Sequence, residues 1–134
     1  MKRTYTKVKG EFRIVGDFNP EEATELLGLA PTRSIKKGDD YNERIPQRPF
    51  SDWCYCTKAH YTFFSDDVLR ELYETFHPKM NELLLFKKEN DLEYQFNVIV
   101  KIRKNQMPGF SVEGDIVQFA AKLDSCFDFD CYWA

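Results

Sequence analysis

The sequence predicts an α+β fold: a single domain on a mainly antiparallel sheet of about four strands, with helices packed on one face. Three observations carry this. A chain of 134 residues, 43% of them hydrophobic and including twelve Phe and seven Tyr, is long enough for one substantial core and short for two. Its apolar residues switch repeatedly between period two and the helical period, in the order β-α-β-α-β-α-β. The period-two segments alternate apolar with polar, which argues for a sheet with one solvated face and against a doubly wound sheet buried on both sides. The expected arrangement is loosely ferredoxin-like, with residues 1–134 as one domain.

Val8, Phe12 and Ile14 alternate with Lys9, Glu11, Arg13 and Val15, broken only by Gly10, and form the first strand. Gly16-Asp17 ends it. Asn19-Pro20-Glu21-Glu22 then supplies an N-cap, a proline at the first helical position and a glutamate at the capping-box position. Ala23, Leu26 and Leu27 line one side of this helix, Phe18 sits at the staple position, and Gly28 and Pro31 close it.

Trp53 to Tyr61 reads as one strand, with Trp53, Tyr55, Thr57, Ala59 and Tyr61 on one side and Cys54, Cys56, Lys58 and His60 on the other. Ser65 and Asp66 offer caps for a helix carrying Val68, Leu69, Leu72, Tyr73 and Phe76. Pro78 kinks or divides it before Met80, Leu83, Leu84 and Phe86. Tyr94, Phe96, Val98, Val100 and Ile102 mark the clearest strand, opposed by a largely polar set that includes Gln95, Asn97 and Lys101. After a turn at residues 105–109, Val112, Ile116, Phe119, Ala120 and Leu123 fall on one helix face. Phe127, Phe129, Cys131 and Trp133 then alternate with Asp128, Asp130 and Tyr132 in a last strand.

The polar connection from Pro31 to Asp52 is the expected seat of function, because connections beyond about 12–15 residues are uncommon inside a compact domain. An additional hairpin within it would change the topology. Its binding candidates are Arg33, Lys37, Asp39, Tyr41, Arg44 and Arg48, with Phe50 and Trp53 beside them; the plainer reading of Trp53 beside the sheet is core, and of Tyr41 or Phe50 a loop anchor. Arginine and aromatic residues recur at the energetic centres of protein interfaces, since they combine contact area with directed hydrogen bonds. Lys36-Lys37-Gly38 lacks the glycine series and following hydroxyl of a phosphate loop. Asp39 and Asp40 beside Gly38 read as turn chemistry.

Net charge is −3, from 22 acidic and 19 basic residues, with basic residues concentrated at the start (Lys2, Arg3, Lys7, Lys9, Arg13) and acidic ones at the end. No large basic field is expected, and nucleic-acid binding is not. An apolar run of signal-peptide or membrane-spanning length is absent, so a cytoplasmic protein is expected. There Cys54, Cys56, Cys126 and Cys131 would be thiols. Cys54 and Cys56 share a strand face, while Cys126 and Cys131 point to opposite faces. Buried thiols are the plain reading, with a metal site or a reactive pair as the alternative; no metal site and no cofactor is assigned.

No catalytic set is assigned either. A hydrolase or small-molecule reading would draw on Asp17, Arg33, Asp39, Asp40 and Asp52 converging beside the sheet. His60 and His77 are placed as a strand and a boundary histidine. A protein-binding or accessory module using the 31–52 surface is the leading expectation, and a homodimer made through an exposed sheet edge or through the polar sheet face with Tyr132 is the third.

The linear pattern resembles a known family. An opening strand ending in Val15-Gly16-Asp17, then Asn19-Pro20-Glu21-Glu22 into Leu26-Leu27-Gly28, Pro31-Thr32-Arg33 with Lys37-Gly38-Asp39, Ser51-Asp52-Trp53, and a closing strand from Leu123-Asp124 through Phe127-Asp128-Phe129-Asp130 to Tyr132 resemble the bacterial domain of unknown function numbered 4279. The resemblance covers nearly the whole chain, with a loose match at Met107-Pro108-Gly109-Phe110-Ser111. It implies the fold and a cytosolic bacterial setting, and no established activity.

Overall fold

The computed structural model describes residues 5–39 and 49–134. Strand β1 (Lys7–Asp17) leads to helix α1 (Pro20–Leu27), then to strands β2 (Arg33–Ile35), β3 (Ser51–Cys56) and β4 (His60–Tyr61). Helix α2 (Asp66–Phe76) and helix α3 (Met80–Glu89) follow, joined by a 3-10 turn over His77–Lys79. Strand β5 (Asp91–Ile102), helix α4 (Gly114–Lys122) and strand β6 (Cys126–Trp133) complete the chain.

The sheet runs β2-β3-β1-β5-β6, with β4 also paired to β1. Among the described residues it has six strands rather than about four. The two additional strands have identifiable origins. Arg33–Ile35, inside the long connection where the sequence leaves a further hairpin open, pairs antiparallel with Asp52–Cys54. The expected strand from Trp53 to Tyr61 is divided into β3 and β4. Glu11 pairs with Cys56 but Lys7 pairs with Tyr61, so the β3–β4 edge carries one residue more than β1 does. This is bulge behaviour. Thr57 N donates to Gly10 O at 2.9 Å and Thr57 Oγ1 accepts from Gly10 N at 3.0 Å, filling the gap in the ladder. The extra residue turns Tyr61 to the polar side with Lys7 and His60 to the helix side, where its Nε2 lies 3.5 Å from Glu71 of α2.

All pairings are antiparallel except β5 with β6, which are adjacent and parallel and are joined through α4. The central pair, β1 with β5, is antiparallel over their whole length. Split βαβ units of the ferredoxin-like kind are present: β1 and β2 are parallel, joined through α1 and separated by β3, and β3 and β5 are parallel, joined through α2 and α3 and separated by β1. The sheet departs from that pattern in its additional strands and in the adjacent parallel pair β5–β6. β6 is an edge strand, and Phe129 and Trp133 are exposed rather than covered by helices.

The helices pack on one face. Val8, Phe12 and Ile14 of β1, Trp53 of β3 and Tyr94, Phe96, Val98 and Val100 of β5 are buried there against Leu69, Leu72, Phe76, Leu83, Ile116 and Phe119. Phe12 stacks on Phe76 at a centroid distance of 4.2 Å and sits 5.5 Å from Tyr94. Gly10 interrupts the alternation for a packing reason: a Cβ there would stand 2.9 Å from Val68 Cβ, so α2 lies directly on β1. Asn19 Oδ1 caps α1 by accepting from Glu21 N at 3.1 Å, and Gly28 closes it at φ 65°. Ser65 does not cap α2; its hydroxyl donates to Gly109 O instead, at 2.6 Å. Among the described residues no helix is long and apolar enough to cross a membrane.

Candidate functional site on the open sheet face

Among the described residues no helix covers the other sheet face, and the β-ladder registers decide what it presents. Along β1 it carries Lys7, Lys9, Glu11 and Arg13. Glu11 lies between Cys56 of β3 and Asn97 of β5; Lys7 lies between Tyr61 of β4 and Lys101 of β5; and Tyr132 of β6 follows Lys101. Arg33 of β2 pairs with Cys54 and extends the same face at its far edge.

A hollow of about 430 Å³ occupies this face. Its lining cations are Lys7, Lys9, Arg33, Lys58 and Lys101, and among the described residues its carboxylate is Glu11. Thr32, Thr57, Ile99 and Tyr132 complete the walls with Cys56. Among the described residues the four lysines make no ion pair. A chain of net charge −3 thus holds a locally positive surface. Asp128 and Asp130, beyond Asn97 and Ile99 in the register, bound it on the β6 side.

Glu11 is the charged centre of the floor. It is buried, Arg33 Nη2 donates to its Oε2 at 2.8 Å, and Asn97 Nδ2 lies 3.5 Å from its Oε1. Burial alone would raise its pKa, but the hydrogen bond and charge of Arg33 outweigh burial and hold the carboxyl below the usual glutamate value. Cys56 Sγ stands 3.4 Å from Glu11 Oε2 and 3.8 Å from Cys54 Sγ. Burial first, then the neighbouring Glu11 and Cys56, push the Cys54 thiol well above its ordinary range. Asn97 Oδ1 is buried without a hydrogen-bond partner among the described residues.

The structure separates the residues singled out from the sequence. Arg33 reaches the hollow. Lys37 does not: its Nζ pairs with Asp17 at 3.0 Å, beside a second hollow at the opposite end of β1 that Phe50 and Glu93 also line. Asp39 Oδ2 accepts from Lys36 N at 3.2 Å, the expected turn chemistry. Trp53 is no surface residue; it is fully buried on the helix face, its Nε1 donating to Thr24 Oγ1 at 3.0 Å. Large aromatic area facing helices is core, whatever hairpin it borders. Asp40, Tyr41, Arg44 and Arg48 lie outside the described residues.

The acids of the hydrolase reading among the described residues are taken up by local partners, with Asp39 on the Lys36 N–H. Asp52 is committed to Arg13, whose Nε lies 3.3 Å from Oδ1, and Asp17 to Lys37. The thiols also divide: Cys54 is buried and Cys56 half-buried, whereas Cys126 and Cys131 are exposed on the edge strand.

Sequence reasoning pointed to a polar sheet face with Tyr132 as a self-association surface, but missed Lys7, Lys9, Lys58 and Lys101 as its cations. Part of the signal was present, in the basic opening segment and in the polar alternate positions of β5. What joins them is the pairing of β1 with β5 and β4, a long-range fact.

Fold and hollow together define a small α+β domain with one helix-covered and one open sheet face. The chain belongs to the family described as Domain of unknown function (DUF4279), whose match spans residues 6–134. No curated protein and no solved structure matches it.

Proposed function

We propose that this protein is a binding module whose open sheet face receives an acidic segment of a protein partner. The observation that carries the reading is the set of lysines at 7, 9, 58 and 101, unpaired among the described residues, around a floor with one carboxylate that Arg33 already neutralises. The spread of charge favours an extended segment. From the Lys7 row to the Arg33 row is six strand positions, or about 20 Å at roughly 3.3 Å per residue, more than one phosphate spans. Complementary charge of this kind steers encounter and sets register. Thr32 and Arg33 bring the start of the 31–52 connection into the same surface. Free thiols suit the reducing cytoplasm expected from the sequence.

The test is calorimetric titration of the full chain with glutamate-rich peptides, against a Lys7→Glu, Lys9→Glu, Lys101→Glu variant. Binding that weakens with added salt and is lost in the variant supports the proposal. Equal binding by both proteins, or none by either, removes it.

A second reading has one observation in its favour: about 430 Å³ falls within the range of small-molecule sites. Inorganic phosphate or a tricarboxylate that binds where the acidic peptides do not would establish that reading instead.

A further inference from the structure

We propose that Glu11, Cys54 and Cys56 form a zinc site on the open sheet face. The inference does not rest on the acidic-segment reading, since it concerns the floor of the hollow and not its lysines.

The placement follows from strand geometry. Cys54 and Cys56 alternate on β3 and so share the open face, and the β1–β3 register sets Glu11 directly opposite Cys56. The three potential ligand atoms all lie within 4.8 Å of one another. A tetrahedral zinc with Zn–S of about 2.3 Å and Zn–O of about 2.1 Å needs S···S edges near ~3.8 Å and S···O edges near ~3.6 Å. The corresponding separations here are 3.8 Å for Cys54 Sγ to Cys56 Sγ and 3.4 Å for Cys56 Sγ to Glu11 Oε2. Two of the edges of a zinc tetrahedron are therefore already present to within a few tenths of an ångström.

The donor set selects the ion. Two sulfurs and one carboxylate oxygen suit zinc and exclude magnesium or calcium, which take oxygen ligands. Two thiolates, one carboxylate and Zn²⁺ leave one negative charge, and Arg33 stands beside it, with Nη2 on Glu11 Oε2 and Nη1 3.5 Å from Cys56 Sγ. Asn97 adds a supporting partner. Its Nδ2 lies 3.5 Å from Glu11 Oε1, and its buried Oδ1, without a hydrogen-bond partner among the described residues, leaves an acceptor beside the site. Three protein ligands leave a fourth position, and Glu11 and Cys56 both line the hollow, so that position is reachable from solvent.

The experiment is a Co²⁺ titration of the reduced full chain carrying Cys126→Ser and Cys131→Ser, which removes the exposed thiols. The expected result is a thiolate-to-cobalt charge-transfer band with visible bands of tetrahedral cobalt, bleached by Zn²⁺. Cys54→Ser and Cys56→Ser each abolish the charge-transfer intensity of a two-thiolate site, while circular dichroism reports that the fold persists. Asn97→Ala weakens Zn²⁺ binding about 10–100-fold without removing the band. No charge-transfer band in the folded parent, or equal Zn²⁺ affinity in a Cys54→Ser, Cys56→Ser double variant, overturns the proposal.

Discussion

Arg33 reaches from edge strand β2 across β3 to Glu11 on β1, placing Nη2 2.8 Å from the buried carboxylate. The pair is asymmetric: Glu11's side chain is 8% exposed and Arg33's is 50% exposed. Its worth lies between a surface pair and a fully buried one. Arg33→Ala should therefore destabilise the protein by about 1–2 kcal/mol, mostly by leaving Glu11 unpaired. Urea midpoints of the single and double Arg33→Ala, Glu11→Ala variants check this; a coupling energy near zero would show that water serves Glu11 equally well.

Gly10 is where α2 comes closest to β1. An alanine Cβ would meet Val68 Cβ at 2.9 Å and Leu72 Cδ1 at 3.1 Å, so the helix must shift. Gly10→Ala should cost about 1–3 kcal/mol, read as a lower urea midpoint with unchanged slope. A companion Gly10→Ala, Val68→Ala variant should recover part of the loss if crowding is the cause.

Tyr94 donates its buried hydroxyl to Leu83 O at 2.6 Å, tying β5 to α3. Tyr94→Phe removes that bond between β5 and α3 and should cost about 1 kcal/mol. Burial also pushes the phenol above its ordinary value of 10.0. In a spectrophotometric alkaline titration, Tyr94→Phe should leave the early part of the curve unchanged.

Arg70 of α2 grips Asp115 at the start of α4 through two hydrogen bonds, at 2.7 and 2.9 Å. The hydrogen bonding of Arg70 lowers the Asp115 pKa below the ordinary 3.8. Since the folded value is the depressed one, the contribution to stability is present above the unfolded value and is lost as pH falls through the folded value. NMR titration of the Asp115 carboxyl should show the lowered value in the parent and a return toward 3.8 in Arg70→Ala.

Local rules made much of this fold legible. The alternation in β1 and β5, the cap at Asn19 and the break at Pro78 each depend on neighbours a few positions away, and each is realised. Trp53 shows the first kind of ambiguity: its residue type suits an interface and its place beside the sheet suits the core, and its position on β3 facing the helices decides for the core. Tyr61 shows the second, since one inserted residue resets a period-two count that otherwise reads correctly. Lys7 and Lys101 show the third. Each is an ordinary exposed lysine in sequence, and only the β1–β5 register makes them neighbours. Ligand faces of sheets are assembled across strands, so the site was less legible than the elements that build it.

The insertion between β3 and β4 has a consequence for how such a surface can change. A strand presents alternate residues to alternate faces, and the segment from Thr57 to Ala59 is where that count is reset. Lengthening it by one residue with the pairing otherwise kept would put His60 in place of Tyr61 beside Lys7, altering a corner of the open face by chain length alone. Specificity in this architecture can thus drift through single-residue changes of length at an edge, while the aromatic core beneath α2 stays as it is.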